Sequence, residues 1–446
     1  MATILFINCC PHREIEERFW KSVAVALRQT GDQLVMMRYG KVESEIDLIK
    51  FPAGFTFSED PIGVDEEFYK RANQWKRRNL DCKYNEILGQ FLELFFVVQP
   101  ELVIIWNGEQ PHDVISKAIL AQVGCPVLIA ERMPWPGMIS IDPSGILSNV
   151  SFCPQEPNWH SGQERQFWVN EFQVYEEWLR TEKNTWWQQP SVSTEEELVT
   201  SETPPILFAG QVDADTQNFL FSPHFDSNVS AFSWFLDAVD GEEYFVLGKH
   251  HPMSDVPATA YCKVTAGRKA QWREDIALDE AFAIAKAVVA VNSSVLCEAI
   301  IHRKPALALG DTLLSRSGVI GTIQGKQAYE SVRSWLADAK SLGFELPAEQ
   351  TNRWLEFSAF HFSKNLFALN GTDSLERLRG GKAAASLIHN AVGHKVCWNN
   401  IFNRDFRELM CGNFHDVVSA CTRLDSPKAK IKALLSRVKR RVRRIF

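Results

Sequence analysis

The sequence predicts an α/β protein of two domains, each built on a parallel sheet covered by helices. Three observations carry this. Apolar strand-like runs alternate with amphipathic helix-like segments up to residue 180, and the alternation resumes after residue 205. One polar, acidic, Pro-punctuated stretch, Gln188–Pro205 (QQPSVSTEEELVTSETPP), separates the two series. At 446 residues, the chain is also longer than one ordinary hydrophobic core organises.

The first series opens with the strand Ala2–Asn8, the amphipathic helix Glu14–Arg28 and a second strand over Gln33–Met37. Asp65 to Val98 reads as helical, with Phe68, Ile87, Phe91, Leu94 and Phe95 as apolar positions. A strand over Leu102–Trp106, a helix over Asp113–Val123 and a strand over Pro126–Ala130 follow. Open α/β sheets place ligands at the C-terminal ends of their strands. Asn107–Gly108 and Glu131 stand there, the latter ahead of a Pro/Gly-rich loop containing Trp135. Ser161 to Glu164 is a capping-box pattern that opens a helix to about Arg180, rich in Phe and Trp.

The second series begins with the strand Ile206–Ala209 and the loop GQVDADTQ. A helix over Val229–Val239 and the strand Tyr244–Gly248 come next, ending in Lys249–His250–His251–Pro252. An irregular basic stretch (Arg268–Arg273), a helix (Leu278–Ala287) and a buried strand (Val288–Val291) lead to the polar turn Asn292–Ser294. A helix starts near Val295, and Pro305–Leu309 is the next strand. Helices over Ala328–Ala339, Glu349–Leu369, Leu375–Val392 and Phe402–Thr422 close the chain. The expected organisation is residues 1–187, a linker 188–205, a second domain 206–365, closing helices 366–427 and a tail 428–446.

Charge and cysteine usage bound the partners. The formal net charge is −7, yet Lys428–Phe446 (KAKIKALLSRVKRRVRRIF) carries nine Lys/Arg and no acid. Without it, 39 basic residues face 55 acidic ones, a balance of −16, which argues against general nucleic-acid binding. Ile431, Leu434, Leu435, Val438, Val442 and Ile445 recur in that tail at near-helical spacing. The pattern favours a helix on an anionic membrane surface over a solvated helix end or an RNA-binding tail. The ten cysteines form no CxxC pair, and Met1 leads directly into a strand, so a reducing cytoplasmic location is expected.

Three loops of the second series each follow a strand and should meet at one sheet edge: Gln211–Gln217, Lys249–Pro252 and Asn292–Ser294. They offer carboxylates (Asp213, Asp215), a cation with imidazoles, and hydroxyls at a helix start, where the free N–H groups and the dipole favour an anion. Glu298, one turn further in, could hydrogen-bond a ribose. Taken alone, Ser293 and Ser294 are better read as a helix cap, and Asp215 as a turn residue. His250 and His251 are adjacent and no HExxH is present, so no metal site is expected. GxxxxGK[ST], GxGxxG and GxSxG are absent, which leaves ATP hydrolysis, NAD chemistry and serine hydrolysis without their signals.

The combination GQVDADTQ…GKHHP…VNSSVLCEAIIHRKPALALG resembles the capsule polysaccharide biosynthesis family, which includes retaining β-Kdo transferases. The matching positions are Gln211, Asp215 and Gln217; Lys249, His251 and Pro252; then Asn292, Ser293, Ser294, Glu298, Ala299, Lys304 and Pro305. Glu131 stands where the family has an upstream Glu before a loop. The resemblance covers about residues 100–310 and its His-Pro and Ser-Ser motifs are shared with bacterial CMP-sialic acid transferases. Thr216 replaces a usual Ser, Glu131 is followed by Arg-Met rather than Asp-Gly, and His302–Arg303 stands where a Gly is common.

The resemblance implies the GT-B fold: two Rossmann-like domains facing a cleft, with C-terminal closing helices. It implies a glycosyltransferase using a CMP-sugar donor, CMP-Kdo foremost, with no metal or other cofactor, and a cell-surface glycan or glycolipid acceptor; the basic tail adds the expectation of a peripheral place at the inner membrane. In its terms Asp215 is the nucleophile and Glu131 the acid/base. His251, Lys249, Ser293 and Ser294 hold the CMP phosphate, and Glu298 the ribose. Gln211, Gln217, Pro252 and Asn292 complete the donor site, while Asn107 and Trp135 are acceptor-side candidates. An inverting CMP-sialic acid-type transferase and a non-catalytic glycan-binding protein are the alternatives.

Overall fold

The structure, a computed structural model, describes residues 2–7, 14–38, 41–42, 98–108, 123–145, 157–181, 205–213, 224–254, 256–323, 328–369 and 372–392, with scattered positions between them that include Phe95, Asp113, Asp215, Asn218 and Ser222. The linker, most of the helical pattern over Asp65–Val98, Gln217, the helix expected over Phe402–Thr422 and the basic tail lie outside the described residues.

The first sheet is laid down by β1 (Thr3–Ile7), β2 (Gln33–Arg38), β3 (Lys41–Val42), β4 (Leu102–Trp106), β5 (Val127–Arg132), β6 (Met138–Asp142) and a late strand, β13 (Leu366–Ala368). Their order is β13-β6-β5-β4-β1-β2-β3. β1 pairs in parallel with both β2 and β4, β4 with β5, and β3 closes antiparallel on β2. The helix α1 (Glu14–Gln29) buries Phe19, Trp20, Val23, Ala24 and Leu27, an apolar stripe at helical spacing.

The second sheet holds β7 (Pro205–Ala209), β8 (Phe245–Lys249), β9 (Ala270–Arg273), β10 (Ala287–Ala290), β11 (Ala306–Ala308) and β12 (Gly321–Thr322), in the order β12-β11-β10-β7-β8-β9 and parallel throughout. Alternate residues of its strands face opposite ways. Phe208, Val246, Val289 and Leu307 share one core with Phe232 and Phe235 of α3 (Asn228–Ala238) and Tyr261 of α4 (Ala258–Thr265). Leu207, Leu247 and Val288 are buried as well. Burial on both faces explains why these strands read as continuous apolar runs. Both sheets therefore have the Rossmann strand order, and the expected α/β class with two Rossmann-like sheets is what the chain adopts.

Several expectations need correction. The Arg268–Arg273 stretch is not irregular: α4 precedes it, and its last four residues form the edge strand β9. Part of the loop after Glu131 is the buried strand β6. The helix expected over Glu349–Leu369 ends at Lys364 (α8, Ala348–Lys364) and gives way to β13. Leu375–Val392 is two helices, α9 (Asp373–Arg379) and α10 (Gly381–Ala391). The domain division also differs. One compact unit takes Met1–Glu131, Ser140–Ile146 and the described residues from Arg377 on; the other takes Arg132–Ile139 and Leu147–Glu376. In the first, α10 lies along α1: Gly381 fits against Ser22 and the carbonyl of Phe19, and His389 Nδ1 meets Asp32 Oδ2 at 2.5 Å. In the second, α2 (Gly162–Thr181), placed by the sequence in the first domain, packs Phe172 and Tyr175 against Phe362 of α8, and Phe172 also meets Trp354. Burying aromatics from segments nearly two hundred residues apart decides these boundaries. Among the described residues no helix is long and apolar enough to cross a membrane.

One glycine is needed for close approach. Trp272 of β9 stands in register with Gly248 of β8, and its ring lies across the space that a side chain there would fill. Tyr261 then stacks on the same ring at 3.8 Å and 6°. Gly248→Ala should displace Trp272 and lower stability by about 1–3 kcal/mol, seen as a lower urea midpoint with an unchanged slope.

Candidate functional site

In the second sheet the chain runs from β7 to β8 and β9 on one side, then crosses back to β10, β11 and β12 on the other. Loops leaving the C-terminal ends of β7 and β10 thus diverge, and this switch point is where such sheets hold ligands. The three sequence-predicted loops all belong to this edge: Gln211 follows β7, Lys249 ends β8, and Asn292 follows β10.

Two of the predicted ligand residues turn toward each other instead. Gln211 Nε2 donates to Asn292 Oδ1 at 3.0 Å, and the Asn292 N–H donates to Gln211 Oε1 at 2.9 Å. Asn228 Nδ2 donates to the Gln211 carbonyl at 3.2 Å. Both amides are buried. They clasp the two diverging loops together and so hold the loops that carry the site. A buried amide needs its partners, and here each supplies the other's.

The acidic loop divides its labour. Asp213 Oδ1 accepts from the N–H and Nδ2 of Asn228, at 2.6 and 2.7 Å, at the start of α3. A Ser227/Ser230 capping box completes that helix end. Asp213 is therefore occupied with α3, whereas the Asp215 side chain is exposed and its N–H donates to the Val212 carbonyl at 3.1 Å. The Ser-Asn-Val-Ser sequence was the signal for this capped helix start.

Lys249 is buried, and its Nζ donates to the His250 carbonyl at 3.2 Å. Burial draws its pKa down to about 8, and the nearby Glu298 carboxylate opposes that fall. His250 Nδ1 accepts the Trp272 indole N–H at 3.2 Å, which ties this ring to the aromatic stack. His251 Nδ1 accepts the Met253 N–H at 3.1 Å. Burial, then Lys249, then His250 push the His251 pKa down to about 4, so the ring is neutral at pH 7 with its proton on Nε2. It can donate one hydrogen bond. Pro252 and Met253 beside it are exposed.

Helix α6 (Val295–Ile301) has only seven residues, and its dipole is correspondingly weak. Ser293 Oγ accepts the Val295 N–H at 3.3 Å, the local capping reading of that residue. Ser294 is exposed and its hydroxyl makes no capping bond. Glu298, half-buried in the first turn, is the carboxylate felt by Lys249. A cation, a neutral imidazole and serine hydroxyls are thus assigned to one sheet edge, with a carboxylate beside the cation.

The remaining predicted residues lie elsewhere. In the first unit, Asn107 Nδ2 donates to Glu131 Oε2 at 2.7 Å across the paired ends of β4 and β5. Asn107 and Gly108 have φ of 68° and 78°, and the Gly108 N–H donates to Asp113 Oδ2 at 3.2 Å. Trp135 is fully buried in the second unit, stacked on Trp354 and Phe357, with its indole N–H donating to Ser358 Oγ at 3.1 Å. It has no surface to offer an acceptor, which corrects the acceptor-side expectation. Sequence reasoning also missed Asn228 as a clasp partner and Trp272 as the holder of His250.

Residues 149–339 match the family described as capsule polysaccharide biosynthesis protein. The resemblance read from the motifs is shown for this stretch, which contains every candidate residue of the switch-point edge. None of the curated proteins compared matches the chain. Among solved structures, the chain is similar to Thermosulfurimonas dismutans KpsC, beta Kdo 2,4 transferase, with a TM-score of 0.46, 11% identity, and coverage of 88% of this chain and 98% of that one. The beta Kdo 2,7 transferase of the same KpsC gives 0.42, 11%, 87% and 99%. Methanocaldococcus jannaschii UDP-GlcNAc 2-epimerase in complex with UDP-GlcNAc and UDP gives 0.38, 12%, 87% and 99%.

Gln211→Ala should strand the Asn292 amide and N–H, costing about 2–3 kcal/mol in denaturant unfolding. A variant as stable as its parent that has lost only ligand affinity would contradict the clasp.

Proposed function

We propose that this chain is a glycosyltransferase that moves an ulosonic acid, Kdo foremost, from its CMP ester to a glycan or glycolipid acceptor at the bacterial cell surface. The observation that carries this reading is the buried Lys249 beside neutral His251 at the switch-point edge, within the stretch that matches the capsule polysaccharide biosynthesis family. A CMP-sugar has a single phosphate. One buried cation, one imidazole N–H and serine hydroxyls suit that charge without a metal ion.

In this reading, negative charge grows on the phosphate as the glycosidic bond breaks, and Lys249, His251 Nε2–H and Ser294 oppose it. Glu298 contacts the ribose and keeps Lys249 oriented. Asp215, exposed at the rim, attacks the anomeric carbon with retention. Glu131, hydrogen-bonded to Asn107, serves as acid/base for the acceptor. The basic tail Lys428–Phe446 would hold the enzyme on the inner leaflet.

Incubation with CMP-Kdo and a glycan acceptor tests the reaction. Asp215→Asn should lower CMP release by at least about a thousandfold while changing CMP affinity less than about twofold. No CMP release by the parent above background would sink the transferase, and the anomeric configuration of the product decides between retention and inversion.

The electrostatics give a second test. Lys249 loses its charge at a lower pH than an ordinary lysine, and bound phosphate favours the charged form. CMP affinity measured by calorimetry should therefore fall by up to about tenfold per pH unit above pH 8, where the CMP phosphate is already fully ionised. Lys249→Met should bind weakly and without that dependence; a parent whose affinity is unchanged to pH 10 would remove Lys249 from the phosphate site.

A further inference from the structure

A second group of charges in the same unit lies outside the proposed chemistry. Glu176 of α2 is buried, with its carboxylate enclosed by three donors from three elements. Oε1 accepts Trp354 Nε1 at 2.8 Å and Arg303 Nη1 at 3.1 Å; Oε2 accepts Arg303 Nη2 at 2.8 Å and Arg180 Nη2 at 2.7 Å. The Arg303 pair is a two-point fork, the geometry that fixes orientation as well as distance. Arg180 Nε in turn donates to the carbonyl of Ile301, the last residue of α6, at 3.1 Å.

Arg303 itself sits just past the end of α6 with φ of 58°. Its N–H donates to the Ile300 carbonyl at 2.9 Å and the next N–H, of Lys304, to Ala299 at 2.8 Å. This is a left-handed helix stop, a conformation that glycine takes without cost and arginine does not. The family motif commonly has a Gly around this point. Here the strained residue is an arginine, and its side chain is fastened to Glu176.

We propose that Glu176 is a positioning residue for the donor site: by holding Arg303 and Arg180 at the C-terminal end of α6, it sets where the other end presents Ser293, Ser294 and Glu298. The inference rests on the donor-site reading above. A helix of seven residues has too few internal bonds to fix its own place. Its front is held by the Gln211–Asn292 clasp, its flank by the buried Leu296, Cys297, Ala299 and Ile300, and its back by this carboxylate.

The test uses the full chain and the variants Glu176→Gln, Arg303→Gly and the double, with CMP affinity by calorimetry, donor KM and kcat by CMP release, and Tm. Arg303→Gly keeps a residue at ease in the left-handed stop, so it folds even where Glu176→Gln does not, and it carries the test alone in that event. Each folded single variant should weaken CMP binding and raise donor KM about tenfold, with kcat changed less than about threefold. The double variant should be no weaker than the worse single, because both changes break one link. Arg303→Lys, which keeps the charge and loses the fork, should fall between. CMP affinity and KM within twofold of the parent in the folded single variants, whatever happens to Tm, would make the cluster a stability feature and overturn the proposal. Independent, multiplying losses in the double would do the same. A parent chain with no CMP affinity would instead overturn the donor-site reading, and the positioning role with it.

Discussion

The candidate site depends on the reciprocal amide pair between Gln211 and Asn292. Strands β7 and β10 are neighbours, but the loops leaving them belong to opposite halves of the sheet, and nothing in the backbone ladder joins them beyond the last strand residue. A side-chain amide is well suited to that gap. It carries a donor and an acceptor on one rigid plane, so Gln211 can satisfy both the side chain and the N–H of Asn292 while staying dry. Asn228 extends the link to α3 through the Gln211 carbonyl, and Asp213 ties back to Asn228. The position of Ser293 and Ser294 is inherited from that network.

Burial does the electrical work at the same edge. Lys249 and His251 are both desolvated, which makes each less willing to hold a charge, yet the outcomes differ. Lys249 starts high enough to remain largely protonated at pH 7, and Glu298 supports it. His251 starts near neutrality and is driven to the neutral form by burial first and then by the lysine beside it. One cation and one neutral donor remain. In the proposed donor-site reading, with Glu298 offsetting part of the lysine charge, attraction for a monoanionic ester is modest and increases as the departing phosphate gains charge. That is the direction in which a transfer reaction benefits.

How much of this was legible in the sequence depends on the range over which each feature is decided. The βα alternation, the apolar strands β7, β8, β10 and β11 and the edge formed by Gln211, Lys249 and Asn292 follow from local patterning and the rule that loops after parallel strands share one side. The resemblance then gave Asp215 and Glu131 their proposed roles. What the sequence did not disclose was direction. Gln211 and Asn292 look like ligand residues until their long-range partnership is seen, and Trp135 looks like a loop aromatic until Trp354 and Phe357 cover it. Strand β9 was hidden in a basic stretch because its only large apolar residue is Trp272, paired over Gly248. The division into units failed for the same reason: Phe172 and Tyr175 announce a buried face but not which core receives it.

The departure at Arg303 shows why a motif alone underdetermines such a site. With glycine at the helix stop, the left-handed turn costs nothing and constrains nothing beyond the backbone. With arginine, the same turn is strained but acquires a side chain long enough to reach α2. The strain is offset only if a partner waits there, and Glu176, well outside the motif, is that partner. Glu176 in turn needs two guanidiniums and an indole to be tolerated in the interior, which commits Arg180 and Trp354. The arginine at the helix stop therefore joins Glu176, Arg180 and Trp354 in fixing one short helix. The geometry of Ser294 is set from both ends of that helix, and the carboxylate that fastens the far end lies outside the recognisable motif.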